Sequence, residues 1–260
     1  LERILSRFQP QSQLSRLNGD GQLTNASPHL LNLLAQSRQI SEISGGAFDI
    51  TIKPLVDLYQ KHAAQGGLPK KVDVESVLEL VDYQDIQITG NQVAFEKKDM
   101  AITLDGIAKG YIVDQGVETL KQNGFTDVLV EAGGDLLASG TKQQLKPWVV
   151  GVQSPRAEQH SKLMTHFKVQ DQAVATSGDY MHSFSTDFGH HQILDPRTGF
   201  SAPGLASATI IAPTASLADS LATTVMVLGP QQGLDLLGQL SDCQGYLIDK
   251  NLRIFQSEQL

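Results

Sequence analysis

Cysteine is almost missing from this chain: Cys243 is the only one in 260 residues. No internal disulfide can form, and no cluster of thiolates can hold a metal. The thiol sits in LSDCQGYLID, which reads as the approach to a strand where a small side chain packs, with no basic setting to activate it. Basic charge is also short, with 20 Lys and Arg against 28 Asp and Glu, a formal net charge of −8, and no basic run. That balance excludes a surface built to neutralise nucleic-acid phosphates or to lie on anionic lipid. No stretch of about 18 apolar residues is present to cross a membrane. Leu1 to Pro10 lacks the basic start and apolar run of a signal peptide. Membrane association is therefore expected only through an N-terminal anchor lost before Leu1. Three common signatures are absent as well. Without GxGxxG, GxxxxGK[ST] or HExxH, a dinucleotide Rossmann site, a P-loop and a zincin are set aside.

What remains is the composition of a globular protein, 40% hydrophobic, 18% charged and 6% aromatic, long enough for one large domain spanning 1–260. Ser27 as N-cap, Pro28 at the first helical position, apolar Leu30, Leu31, Leu34 and Ile40, and the stop Gly45-Gly46 predict a helix. Further helices are expected after Pro54 and in LPKKVDVESVLELV. From Tyr83 the texture changes to short β-branched runs. IQITGNQVAFEK reads as a hairpin around Gly90-Asn91, MAITLDGIAKGYIVDQGVETLKQNG as strand, Gly-rich turn and helix ending at Gly124, and DVLVEAGGDLLASG as strand, turn, strand. PWVVGVQSP, HFKVQDQAVATSG, HHQILDP and SATIIAP are further strand candidates, followed by a helix in TASLADSLATTVMVLG. Helices and strands mix without strict alternation, so the expected class is α+β with a largely antiparallel sheet and surrounding helices.

Chemistry has few places to reside. On the last of these helices Leu217, Leu221, Val225 and Leu228 make the expected core stripe. Asp219 and Thr223 form a polar row at i and i+4, so a carboxylate and a hydroxyl face one point. Hard oxygens in such a row suit Mg²⁺, which keeps other positions for water and phosphate. The plain alternative is an Asp favoured by the helix dipole and a Thr bonded back to its own helix. In DGIAKGY, Gly106 and Gly110 flank Lys109 at a strand-to-helix junction where backbone N–H groups can approach a phosphate; a solvated Lys in a Gly-rich turn is the alternative. Gly133-Gly134-Asp135 reads as a tight hairpin turn, DPRTG as a turn in which Arg197 caps or pairs, and ATSGDY as a loop clustering Thr176, Ser177 and Asp179.

Taken in order, FDIT, PLVDLY, DGIAKGYIVD, AGGDLLASG, VATSGDY, ILDPRTG and IAPTASLADSLATTVMVLG resemble the ApbE family, the FAD:protein FMN transferases, in a match that starts near RFQPQSQLSRLN. The resemblance implies an ApbE-like fold and a Mg²⁺-dependent transferase. Such an enzyme cleaves the pyrophosphate of FAD and attaches FMN through a phosphoester to a Thr or Ser of a partner flavoprotein, releasing AMP. It implies Asp219, Thr223 and the main-chain carbonyl of Gly106 as metal ligands, and Lys109 as a contact to FAD. It also implies Phe8 beside the flavin, Ala47, Phe48 and Asp49 as the FAD-contacting loop, and Ile193 at the adenine pocket. Where the family usually carries Asp this chain has Thr103, with Asp105 two residues on. Where it often has His as proton acceptor this chain has Gln192, which leaves His191, just before it, as the catalytic candidate. The family's opening strand is missing before Leu1, and its members commonly work outside the cytoplasmic membrane, as exported proteins or lipoproteins. Two other readings stay open: an FAD pyrophosphatase giving FMN and AMP, and a non-catalytic FAD-binding protein, against which the retained Asp219 and Thr223 speak.

Overall fold

The computed structural model describes residues 1–156 and 162–260, with no cis peptide bond among them. They form two compact units, one of residues 1–106 and 183–201, the other of residues 107–182 and 202–260.

The first unit carries helices α1 (Glu2–Leu5), α2 (Gln13–Asp20), α3 (Pro28–Ile43), α4 (Lys53–Ala63) and α5 (Lys71–Leu78). Ser27 caps α3 by accepting from the His29 N–H, and Pro28 opens it, as the sequence predicts. Strands β1 (Gln22–Leu23), β2 (Ile86–Thr89) and β3 (Gln92–Phe95) make a small antiparallel sheet in the order β1-β3-β2, with β2 and β3 joined by the expected Gly90-Asn91 turn. One core of this unit gathers Leu55, Val56, Tyr59, Val74 and Leu194.

Two strand expectations fail here. Residues 101–104 run without a sheet partner, because the Asn18 side chain takes the place of one: its Nδ2 donates to the Ile102 carbonyl at 2.9 Å and its Oδ1 accepts the Ile102 N–H at 2.8 Å. The HHQILDP stretch makes only single bridges, His191 to Ser183 and Leu194 to Ser201, since Pro196 and the turn closed by Gly199 leave no room for a ladder.

The second unit holds α6 (Ala108–Gln122), strands β4 (Val128–Ala132), β5 (Asp135–Ser139), β6 (Trp148–Gln153), β7 (Leu163–Val169), β8 (Gln172–Gly178) and β9 (Leu205–Ala212), then α7 (Ala215–Leu237), β10 (Gln244–Asp249) and β11 (Ile254–Gln256). Six strands pair antiparallel in the order β11-β10-β9-β8-β5-β4. HFKVQDQAVATSG, read as one strand, is two in different sheets, broken at Gln170-Asp171 where Asp171 has φ 52. Strand alternation sends Leu136, Ala138, Val174 and Ile211 to one sheet face, where the β6–β7 ribbon covers them with Trp148, Val150 and Phe167. The other face carries Asp135 and Ser177 and packs on α7.

That helix is buried nearly all round, so the expected stripe is real at Leu221 and Val225 but only half-buried at Leu217 and Leu228. It runs past its expected end at Gly229 only through a break, Gly229 leaving the helical region and Pro230 starting a fresh turn. Cys243 is buried just before β10, as its context suggests.

Candidate functional site

The chemistry gathers in the second unit, where α6 crosses the N-terminus of α7. A Cβ on Gly110 would stand 2.1 Å from the Ala215 carbonyl oxygen, so the crossing admits only glycine there. Asp114, one turn further along α6, accepts from the Ala215 and Ser216 N–H groups at 2.7 and 2.9 Å, and Thr214 accepts from the Leu217 N–H. Two side chains thus satisfy the first donors of α7, which otherwise have no partner.

This close approach brings Asp219 to the start of α6. Its Oδ2 accepts the Gly110 N–H at 3.1 Å, and its side chain is only 4% exposed. Thr223, one turn on, places its hydroxyl 3.2 Å from that of Ser177 on β8. The bonding back to the helix carbonyls is done by Ser220 and Thr224 instead. The polar row expected from the sequence therefore exists, and it faces outward from α7 toward β5 and β8.

Lys109 joins it. Its Nζ forms a very short ion pair with Oδ2 of Asp135 and lies 3.8 Å from Oδ1 of Asp219. Asp135 was expected to be no more than part of the tight turn Gly133-Gly134-Asp135. The Gly133-Gly134 turn instead delivers it, 1% exposed, at the first position of β5, where it also accepts the Thr176 N–H. The sequence holds a signal that could have found it, a carboxylate directly after the turn on a strand of otherwise apolar residues.

Burial raises both carboxyls. Asp219 is pushed up to about 8 by burial and by the Asp135 carboxylate, against the pull of the Lys109 ammonium. Asp135 is raised by burial and drawn back by Lys109. Two buried carboxylates with one ammonium between them are short of one positive charge, a setting that accepts a cation. No group of three or more His, Cys, Asp or Glu side chains forms a metal cage among the described residues. A cation here would rest on one carboxylate, hydroxyls, main-chain oxygen and the oxygens of water or a phosphate, a donor set that suits Mg²⁺.

The remaining expected residues lie in the first unit. Gly106 is at its boundary, in the turn that leads into α6. Phe8 is 79% exposed with the Arg7 guanidinium 4.5 Å over its ring, and Arg7 pairs with Asp105 at 3.0 Å. Asp105 is thus engaged beside Thr103, whose Oγ1 accepts the Asp105 N–H. Thr103 donates its own N–H to the Ile50 carbonyl, which brings it to the Ala47–Asp49 segment. Ala47 and Phe48 are buried, and Asp49 holds the turn by accepting from the Thr51 N–H and hydroxyl and from the Tyr83 N–H. Ile193 is buried, and His191 is wholly buried, its N–H donating to the Ser201 hydroxyl, which in turn donates to the His191 carbonyl. Arg197 pairs with Asp195 across the DPRTG turn, as expected.

The ApbE family profile matches residues 1–247. Relatives named FAD:protein FMN transferase include one from Vibrio cholerae, 28% identical over 239 residues, covering 88% of this chain and 70% of the relative. Another, from Treponema pallidum, is 28% identical, covering 97% and 75%. Among solved structures, the ApbE protein of Thermotoga maritima superposes with a TM-score of 0.88 at 28% identity, over 98% of this chain and 84% of that one. The flavinyl transferase ApbE of Pseudomonas stutzeri gives 0.81 at 29% identity, over 99% and 81%. With its α+β architecture, its antiparallel sheet and a profile match across nearly its whole length, this chain belongs to the ApbE family.

Proposed function

We propose that this protein is a Mg²⁺-dependent FAD:protein FMN transferase, acting on a Thr or Ser hydroxyl of an acceptor flavoprotein. The observation that carries the proposal is the Asp135–Lys109–Asp219 cluster at the α6–α7 crossing, its two carboxyls buried, with Thr223 and Ser177 adding hydroxyls beside it. The names of the relatives support the same reading.

In this reading the flavin end of FAD meets Phe8 and the Ala47–Asp49 segment, Thr103 stands beside that segment, and Ile193 meets the adenine. The diphosphate meets Lys109. The acceptor oxygen attacks the phosphorus of the FMN half, the bond from that phosphorus to the oxygen of the AMP half breaks, and AMP leaves. Asp219, Thr223 and the Gly106 carbonyl would hold Mg²⁺, which supplies neutralisation of the charge developing on the phosphoryl oxygens. Lys109 keeps its ammonium where a diphosphate would otherwise meet two carboxylates. Asp135 holds that ammonium in place. The hydroxyl proton goes to a base, for which His191 is the candidate. Because the imidazole is wholly buried, His191→Ala decides the matter: retained transfer places the base elsewhere.

The test is incubation of the protein with FAD, Mg²⁺ and an acceptor domain carrying the target Thr, followed by intact mass of the acceptor. A gain of one FMN less water, abolished by Asp219→Ala and by chelator, is expected. AMP release with no mass gain would replace the transferase with an FAD pyrophosphatase.

A further inference from the structure

On the side of the second unit opposite the cluster, the outward face of the β6–β7 ribbon is covered by no described residue. Between Lys142 and Lys168 the sequence holds five basic residues and one acid, in a chain whose net charge is −8. The structure draws three of those lysines together. Lys142, Lys146 and Lys168 line a cavity of about 470 Å³ together with Gln143, Pro147 and Val149. The Lys142 N–H donates to the Lys146 carbonyl and closes a short loop, at the tip of which Leu145 sits 86% exposed with φ 59, a backbone conformation that leucine seldom adopts. Register sets Val149 opposite Lys168 on the ribbon's outward face, and the Leu163 side chain lies over Gly151 on the same face. Among the described residues no carboxylate pairs with any of the three lysines.

Val149 and Leu163 exposed on one ribbon face, with Leu145 exposed at the tip of the loop and three unpaired ammoniums nearby, make an apolar surface with a positive rim. Apolar side chains left in water beside a cavity bind apolar groups, and the rim selects those that arrive with negative charge. The occupant must therefore carry both. A bilayer fits poorly, since a plane of anionic lipid would face the whole acidic chain at once. A short acidic segment presents its charge only locally, within the screening distance of roughly 8 Å at physiological salt.

We propose that the outward face of the β6–β7 ribbon, framed by Lys142, Lys146 and Lys168, is a docking site for an acidic polypeptide segment that inserts an apolar side chain against Val149 and Leu163. The inference is independent of the transferase reading, because none of these residues belongs to the Asp135–Lys109–Asp219 cluster.

The experiment uses the full chain and a fluorescein-labelled peptide in which Glu residues surround two Leu, followed by anisotropy. A matched peptide with Gln for Glu, and vesicles containing phosphatidylglycerol, serve as the other probes. Saturable binding of the acidic peptide is expected, weakened at least about tenfold by the double change Lys146→Glu and Lys168→Glu and again by Val149→Ser, while thermal melting and flavin transfer stay as in the parent. Equal affinity for the Gln peptide, unchanged affinity in the charge-reversed variant, no saturable binding, or recruitment to vesicles without peptide binding would each overturn it.

Discussion

Asp219 is the residue on which the proposed chemistry turns, and its burial has a consequence for stability that does not depend on catalysis. In the metal-free protein the folded state keeps a proton on Asp219 through a pH range in which the unfolded chain, with an ordinary carboxylate, has released it. The folded state thus binds more protons than the unfolded one, and stability falls as pH rises from the ordinary carboxylate range toward about 8, levelling beyond it. Asp49, Asp114 and Asp135 are raised by burial too and slope the same way. The signature of Asp219 is therefore the difference between wild type and Asp219→Asn. Thermal melts in chelator at pH 5, 6.5 and 8 should show the wild type losing stability by up to about 1.4 kcal/mol per pH unit more than the variant. Parallel profiles would mean that Asp219 is ionised throughout. The thiol is simpler. Burial and the neighbouring Asp242 push Cys243 up to about 11, so iodoacetamide at pH 8 should leave the folded protein unlabelled and modify it fully after denaturation. At this scale the sequence was legible for Asp219, Thr223 and Lys109, whose spacing or glycine context is local. It was not legible for Asp135, since a carboxylate after a Gly-Gly turn looks the same whether it faces water or a lysine 26 residues away.

Among the elements, α7 had the clearest pattern and the least expected setting. Its Pro213-Thr214 entry, its apolar content and its break at Gly229 are all local features, and all are present in the structure. What the pattern could not carry is that α6 lies against its N-terminus closely enough to forbid a single methyl group. Gly110→Ala sets a Cβ 2.1 Å from a backbone oxygen, with no flexible side chain to yield, and should cost about 3 kcal/mol or more, read as a lower urea midpoint at unchanged slope. A variant as stable as the parent would show that the two helices separate readily. Asp114→Ala removes two hydrogen bonds to the α7 N-terminus and should cost about 1–2 kcal/mol in the same measurement. The two failed strands teach the complementary lesson. MAITL and HHQILDP have β-branched, alternating character, yet a strand needs a partner edge. Asn18 supplies a side chain to the first, and Pro196 and its turn deny a ladder to the second.

For the molecule as a whole, binding and folding are linked. A Mg²⁺–FAD complex that meets only the native protein should raise its melting temperature, by the equivalent of about 2.7 kcal/mol at a hundredfold excess over Kd. Asp219→Ala should lose that rise while keeping its own transition, as read by differential scanning fluorimetry with and without the complex. An equal rise in the variant would move the ligand away from Asp219. The sequence by itself determined the helices α3 to α7, the Gly90-Asn91 and Gly133-Gly134 turns, the α+β class and, through its ordered motifs, the family, because periodicity, caps and glycine turns act over a few residues. Only the tertiary structure decided that Lys109 meets two buried carboxyls, Asp135 and Asp219, that Thr223 faces Ser177 rather than its own helix, and that His191 is enclosed. These follow from which faces two helices and a sheet press together, and spacing along the chain holds no record of that.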